Sequence, residues 1–164
     1  MSLLAPGQMD RNDHLPPFTL TAHIEILRAS YHHWTGKHLI DPSIPAELAA
    51  NTLDTMPFAL VSHDTAADPV FNYANRLALE LFSMRWDEFT ALPSRLSAEP
   101  VNQTERARLL EIVSQNGYIE DYSGIRIAKT GRRFMIKNTT IWNLITSDGS
   151  FYGQAALIRA WQDI

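Results

Sequence analysis

Pro69–Phe82 reads PVFNYANRLALELF, and the fold turns on how this stretch is read. Val70-Phe71-Asn72-Tyr73 is a short extended run of residues that suit a pleated, half-buried surface. Ala74-Asn75 then turns the chain, and Leu77, Ala78, Leu81 and Phe82 recur at the spacing of one helical face. Asn75 is suited to cap that helix, because its side-chain oxygen can accept a free backbone N–H of the first turn. A strand therefore feeds directly into an amphipathic helix.

Working outward, Phe58–Val61 reads as a buried strand, and Asp64–Pro69 (DTAADP) is turn chemistry, so the two strands make a hairpin. Trp86–Phe89 suits a short helical turn. Leu92–Pro100 is bracketed by prolines, which excludes a long helix there. A helix is predicted from about Gln103 to Gln115, with Leu109, Leu110, Ile112 and Val113 apolar, Thr104–Arg108 as its polar face, and Asn116-Gly117 as its stop. The last third is β: Tyr118–Ala128, Arg133–Ile145 and Phe151–Trp161, joined by turns at Lys129–Arg132 and Thr146–Ser150, form an antiparallel meander.

Upstream of the hairpin, Leu20, Ile24, Leu27, Tyr31 and Trp34 fall in one continuous helical stripe, capped by Thr19 or Thr21 and ended by Gly36. A second helix is predicted from Ile44 to about Leu53, with Pro45 in its first turn. Residues 1–18, with three prolines and little periodicity, are expected to be a flexible tail. Residues 19–56 then form a helical cap and 57–164 the core.

Strand alternation adds a constraint. Phe134, Ile136, Trp142 and Leu144 should share a face with Asn138 and Thr140, opposite Met135, Ile141, Ile145, Lys137, Thr139 and Asn143. On the last strand, Phe151, Ala155 and Leu157 should oppose Tyr152, Ala156 and Ile158. Both faces are substantially apolar, so each is covered. The central helices cover one, and the N-terminal stripe is the candidate for the other. The class is α+β, with a five-stranded antiparallel sheet.

Composition narrows the function. The chain has 164 residues and a mass of 18.6 kDa, enough for one core that buries roughly 70% of the unfolded surface. A net charge of −4 and the lack of a long basic run argue against nucleic-acid binding. The basic residues Lys129, Arg132 and Arg133 read as a solvated hairpin tip. There is no cysteine, which is compatible with the cytosol and removes disulfide and thiolate chemistry. No apolar run reaches membrane-span length, and no signal peptide is evident.

No catalytic residue stands out, and the expectation is that this is not an enzyme. GxSxG, Walker and HExxH motifs are missing. Glu120 and Asp121 are adjacent on a strand and point apart, and neither Ser94 nor Ser123 has a recognisable base nearby. His32, His33 and His38 are better read as solvated or capping residues at a helix end than as metal ligands.

The order of two strands, helices and a three-strand meander resembles that of PAS-type domains over residues 58–161. Four segments in order, DPVFNYANRLALELF, LPSRLSAEP, YIEDYSGIRIAKTGRRFMIKNTTIWNL and GQAALIRAW, are similar to the MEKHLA domain. That family occurs as stand-alone bacterial proteins and as the C-terminal domain of plant class III homeodomain–leucine zipper factors. The resemblance spans about residues 20–162, extending into the first helix through His23, Leu27, Ser30 and Tyr31. It implies a PAS-like sensory or regulatory module and does not supply a ligand.

A PAS-like fold implies a pocket between the central helices and the inner sheet face. Haem-binding members often take an axial histidine from the helix before the meander, and Gln103–Gln115 has none, leaving His63 as a remote alternative. Flavin photoadduct chemistry requires a cysteine. Flavin-binding relatives also tend to carry glutamine two residues after a glycine on the last strand. Gln154 directly follows Gly153, which puts its register, and the face expected of it, out of line. The cofactor is left unknown. Polar residues within apolar patterns are the ligand-binding candidates, since buried polar groups need partners: Asn72, Asn75, Tyr118, Tyr122, Asn138 and Thr140, with Trp142 on the same face. For Asn72 and Asn75 the competing role is to brace the turn; for the tyrosines, to pack under the N-terminal helix; for Trp142, to serve as core.

Two functions follow. One is a sensory domain that binds a small, mostly apolar ligand and signals through the N-terminal helices. The other is a ligand-free interaction module, a homodimer joined through Leu20, Ile24, Leu27, Tyr31 and Trp34.

Overall fold

The Asn75 side chain makes four hydrogen bonds at the corner where strand becomes helix. In the computed structural model, which describes residues 19–164, its side-chain oxygen accepts the amides of Leu60 at 3.0 Å and Ala78 at 3.1 Å. Its amide nitrogen donates to the carbonyls of Leu53 and Phe58, each at 2.9 Å. This fully buried side chain thus joins α2 (Ala46–Leu53), β1 (Ala59–His63), β2 (Phe71–Ala74) and α3 (Arg76–Phe82). The residues expected to form a tail, 1–18, lie outside the described residues.

The remaining elements are α1 (Leu20–Thr35), α4 (Trp86–Phe89), a 3-10 turn at Ser94–Ser97, α5 (Pro100–Asn116), β3 (Tyr118–Ile127), β4 (Arg133–Ile145) and β5 (Phe151–Asp163). Helix α5 begins three residues before the predicted start, because Pro100 occupies its first turn, where a missing N–H costs nothing. Thr19 caps α1, and Gly36 ends it at φ +74°.

The sheet order is β2-β1-β5-β4-β3, with every neighbouring pair antiparallel. Helices α3, α4 and α5 lie on its inner face, packing Ala78, Phe82, Phe89, Leu109 and Val113 against Val61, Phe134, Ile136, Ile141 and Ile158. Helices α1 and α2 cover the outer face, where Ile24, Leu27, Tyr31 and Leu53 meet Leu60, Trp142, Leu144 and Leu157.

Strict alternation fails at two places, and each failure moves side chains to another face. Asn138 adopts φ +49° and Asp121 φ +57°, and the β3–β4 register shifts on both sides of Tyr122. The phase of β4 changes there. Phe134 and Ile136 face inward with Ile141, while Trp142 and Leu144 face α1, so the single face expected for all four does not exist. The second break is at Gly153, where the β4–β5 register shifts and φ is +149°. A Cβ on Gly153 would sit 2.1 Å from the His63 carbonyl oxygen, so only glycine lets the strands approach this closely. The bulge turns Tyr152 to the outer face and Gln154 inward.

The basic hairpin residues are paired rather than merely solvated: Lys129 with Glu88, Arg132 with Asp163, and Arg133 with Glu99. Among the described residues, no helix is long and apolar enough to cross a membrane.

Candidate functional site

Helix α5, the 3-10 turn and the inner sheet face line a partly open cavity of about 50 Å³, room for roughly four water-sized spheres. Phe71, Phe82, Leu110, Ile136, Ile141 and Ile158 supply apolar wall. The polar lining comes from His63, Ser97, Arg106, Arg126 and Gln154.

The two arginines set the electrostatics. Arg106 projects from α5 and is 8% exposed; Arg126 projects from β3 and is 6% exposed. Among the described residues no carboxylate pairs with either, and the Arg106 guanidinium has no hydrogen bond. Burial lowers the Arg106 pKa to about 10, with the charge of Arg126 acting in the same direction and Tyr122 opposing. Arg106 is therefore cationic at neutral pH. Arg126 is held from one side: Nη1 donates to the Ile125 carbonyl at 2.8 Å, Nη2 reaches the Tyr122 hydroxyl at 3.4 Å, and its guanidinium lies 5.7 Å from the centre of the Tyr122 ring. Tyr122 in turn donates to Glu105 at 2.9 Å. Gly124 makes room for this arrangement, since a Cβ there would lie 2.2 Å from the Tyr122 oxygen and 3.0 Å from Arg126 Nη1.

His63 completes the polar wall. Its Nδ1 donates to the Asp64 carbonyl at 2.9 Å, and its buried Nε2 has no hydrogen-bond partner among the described residues. Burial is the largest influence on its pKa and lowers it. Arg106 adds to that lowering, while Asp64 and Gln154 oppose it. The Gln154 amide nitrogen is engaged elsewhere, with the Leu110 carbonyl, Ser114 Oγ and Asn143 Oδ1.

Of the predicted ligand residues, only Tyr122 lies beside the cavity, as the support of Arg126. Thr140 and Trp142 are on the outer face. Thr140 accepts from Arg159 at 2.9 Å, and the Trp142 ring stands 4.9 Å from that of Tyr31. Asn138 is exposed, because its left-handed backbone turns it off the face it was assigned. Asn72 accepts from Ser62 on the outer side, Asn75 is saturated at the corner, and Tyr118 stacks on Trp34. Sequence reasoning missed Arg106, which it placed on the polar face of α5, and Arg126. It read Gln154 as out of register after Gly153, whereas Gln154 lines the cavity. The one available signal was the apolar setting of Arg126, between Ile125 and Ile127 on a strand.

The N-terminal stripe is covered within the chain. Ile24, Leu27 and Tyr31 are buried against the sheet, with Leu20 and Trp34 packed beside them. The surface assigned to a homodimer is therefore the underside of the chain's own cap.

Polar contacts connect α5 to α1 through the sheet. Asn143 Nδ2 donates to the Val113 carbonyl of α5 at 3.0 Å, while the Asn143 carbonyl accepts from Trp34 Nε1 of α1 at 3.0 Å. His23 of α1, fully buried, meets Ser62 Oγ at 2.9 Å and the Tyr152 hydroxyl at 3.1 Å. Ser62 lies between the cavity-lining residues Val61 and His63 on β1.

The space does not fit a flavin or haem: pockets that enclose ligands of that size run to several hundred Å³, against about 50 Å³ here. Among the described residues, no group of three His, Asp or Glu is placed to hold a metal.

The model of the MEKHLA domain matches residues 21–163. No curated protein matches the chain. Among solved structures, a PAS domain of a protein from Colwellia psychrerythraea is similar at 16% identity and a TM-score of 0.58, covering 72% of this chain and 95% of its own. A light-oxygen-voltage domain studied with a flavin analogue is similar at 16% identity and a TM-score of 0.56, covering 70% and 82%. An RNA-binding light-oxygen-voltage receptor is similar at 15% identity and a TM-score of 0.60, covering 77% of this chain and 36% of the receptor. At such identities the likeness is one of fold.

Proposed function

The chain belongs to the MEKHLA domain family, and from that premise we propose that it is a sensory or regulatory binding module with a PAS-like fold, rather than an enzyme. It takes a small molecule between α5 and the sheet, and occupancy alters how α1 sits on the opposite face. The observation that carries this reading is the inner-face cavity, whose largely apolar wall includes a buried polar atom, His63 Nε2, with no partner among the described residues. Buried polar groups in folded proteins are nearly always satisfied, so those left over are positions for a guest or for water. The readout is supported by the contacts of Asn143 with both α5 and α1, and by the pairing of His23 with Ser62 on a strand that lines the cavity. The small volume restricts the guest to a few non-hydrogen atoms.

Amide NMR spectra recorded with small probes (acetone, imidazole, formamide, acetate) test the reading. It expects at least one probe to shift the resonances of Val61, His63 and Gln154 and to change hydrogen-exchange protection in α1. If no probe moves those amides, the site reading fails. If the cavity amides move while α1 exchange is unchanged, the signalling reading fails alone. A homodimer module, the alternative, needs a surface other than the α1 stripe, which the chain itself covers.

A further inference from the structure

We propose that the cavity takes a short carboxylate of two or three carbons, its carboxyl group facing the guanidinium groups of Arg106 and Arg126. This rests on the reading of the cavity as a ligand site and specifies the chemistry of its occupant.

Two like charges, each more than nine-tenths buried, line one small space with no carboxylate paired to either among the described residues. Uncompensated buried charge is strongly destabilising, and an anion between the two groups removes both the repulsion and the missing solvation. Each guanidinium carries five N–H donors in a planar fork suited to carboxylate oxygens. Among the described residues, Arg106 uses none of these, and Arg126 uses only its contacts with Ile125 and Tyr122. Phe71, Phe82 and Ile136 also line the cavity, and that apolar wall suits a methyl or ethyl group. Phosphate or sulfate would turn oxygens toward that wall and leave them unpaired, at a cost. Volume agrees: a cavity of about 50 Å³ holds roughly four water-sized positions, about the size of acetate.

The test is calorimetric titration and thermal melting of the full chain with sodium acetate and propanoate. Sodium chloride at equal ionic strength, acetamide, propanamide and sodium phosphate serve as comparisons. The expected result is saturable one-to-one binding of the acids, with the amides and phosphate much weaker. Arg106→Met should weaken acid binding roughly ten- to a hundredfold, the range for a charge-assisted hydrogen bond. The same variant should raise the ligand-free melting temperature, because it removes an unpaired buried charge, whereas an arginine with a purely structural role would lower it. Arg106→Lys, which keeps the charge but not the fork, provides the comparison if the methionine variant does not fold, and should bind the acids several-fold more weakly. Amides that bind as tightly as acids, or phosphate that binds more tightly, overturn the carboxylate assignment and leave the cavity reading standing. Acid binding unchanged in both variants overturns the role of Arg106. Failure of both acids and amides to bind removes the inference together with the reading beneath it.

Discussion

Lowering the pH should destabilise this protein through His23 specifically, and by an amount the structure sets. His23 is fully buried beneath α1, between Ser62 and Tyr152. Burial lowers its pKa from 6.5 to about 4. In the unfolded chain the imidazole takes a proton near pH 6.5; in the folded protein it resists protonation until about pH 4. Across that window the unfolded state binds more protons, so stability is highest above pH 6.5 and falls as the pH drops toward 4. Integrated from pH 7 to pH 4, the loss from this one group is about 3 kcal/mol, at 1.36 kcal/mol per pKa unit. His63, also lowered by burial, acts in the same direction, as do surface carboxylates at lower pH. The measurement is therefore a difference: urea unfolding of the wild type and of His23→Gln at several values between pH 7 and 4. The variant is less stable at pH 7, but the gap should close by about 3 kcal/mol as the pH falls. A gap constant across that range would refute the assignment of a buried, neutral imidazole.

Three further outcomes are expected. Asn75→Ala strands two amides and two carbonyls and should cost about 3–5 kcal/mol in urea unfolding, since each stranded buried group costs about 1–3 kcal/mol and the losses overlap. Gly153→Ala places a Cβ 2.1 Å from the His63 carbonyl oxygen and should lower stability by about 2–4 kcal/mol, through overpacking and backbone strain. At Asn138, where φ is +49°, Asn138→Gly should be neutral or stabilising by up to about 1 kcal/mol, whereas Asn138→Val should destabilise by about 1–2 kcal/mol, as β-branched residues avoid this region. Thermal melts of the three proteins check the order Gly, Asn, Val.

The fold was legible because its signals are local. The stripe from Leu20 to Trp34, the cap at Asn75 and the hairpin turns each act over a few residues, and the structure forms them where their spacing places them. The site was less legible because its signals are tertiary. One left-handed residue, Asn138, changes the phase of β4, and a period-two reading carried through it assigns Thr140 and Trp142 to the wrong side. The bulge at Gly153 does the same to Tyr152. Neither break has a strong sequence mark, since Asn occurs on regular strands and glycine in many settings. Arg106 sits in a helical turn with Glu105 and Arg108, and nothing in that run marks it as the residue facing inward. Burial of a lone charge depends on which face α5 presents, and the weakly amphipathic sequence of α5 leaves that to packing.

The central claim is that the space between α5 and the sheet is a ligand site, and isotope-edited nuclear Overhauser spectra with labelled acetate test it most directly. The account predicts contacts from the acetate methyl group to protons of Phe71, Phe82 and Ile136, which line the apolar wall. Saturating acetate and acetamide that both give contacts only to exposed residues, with none to that wall, would contradict it.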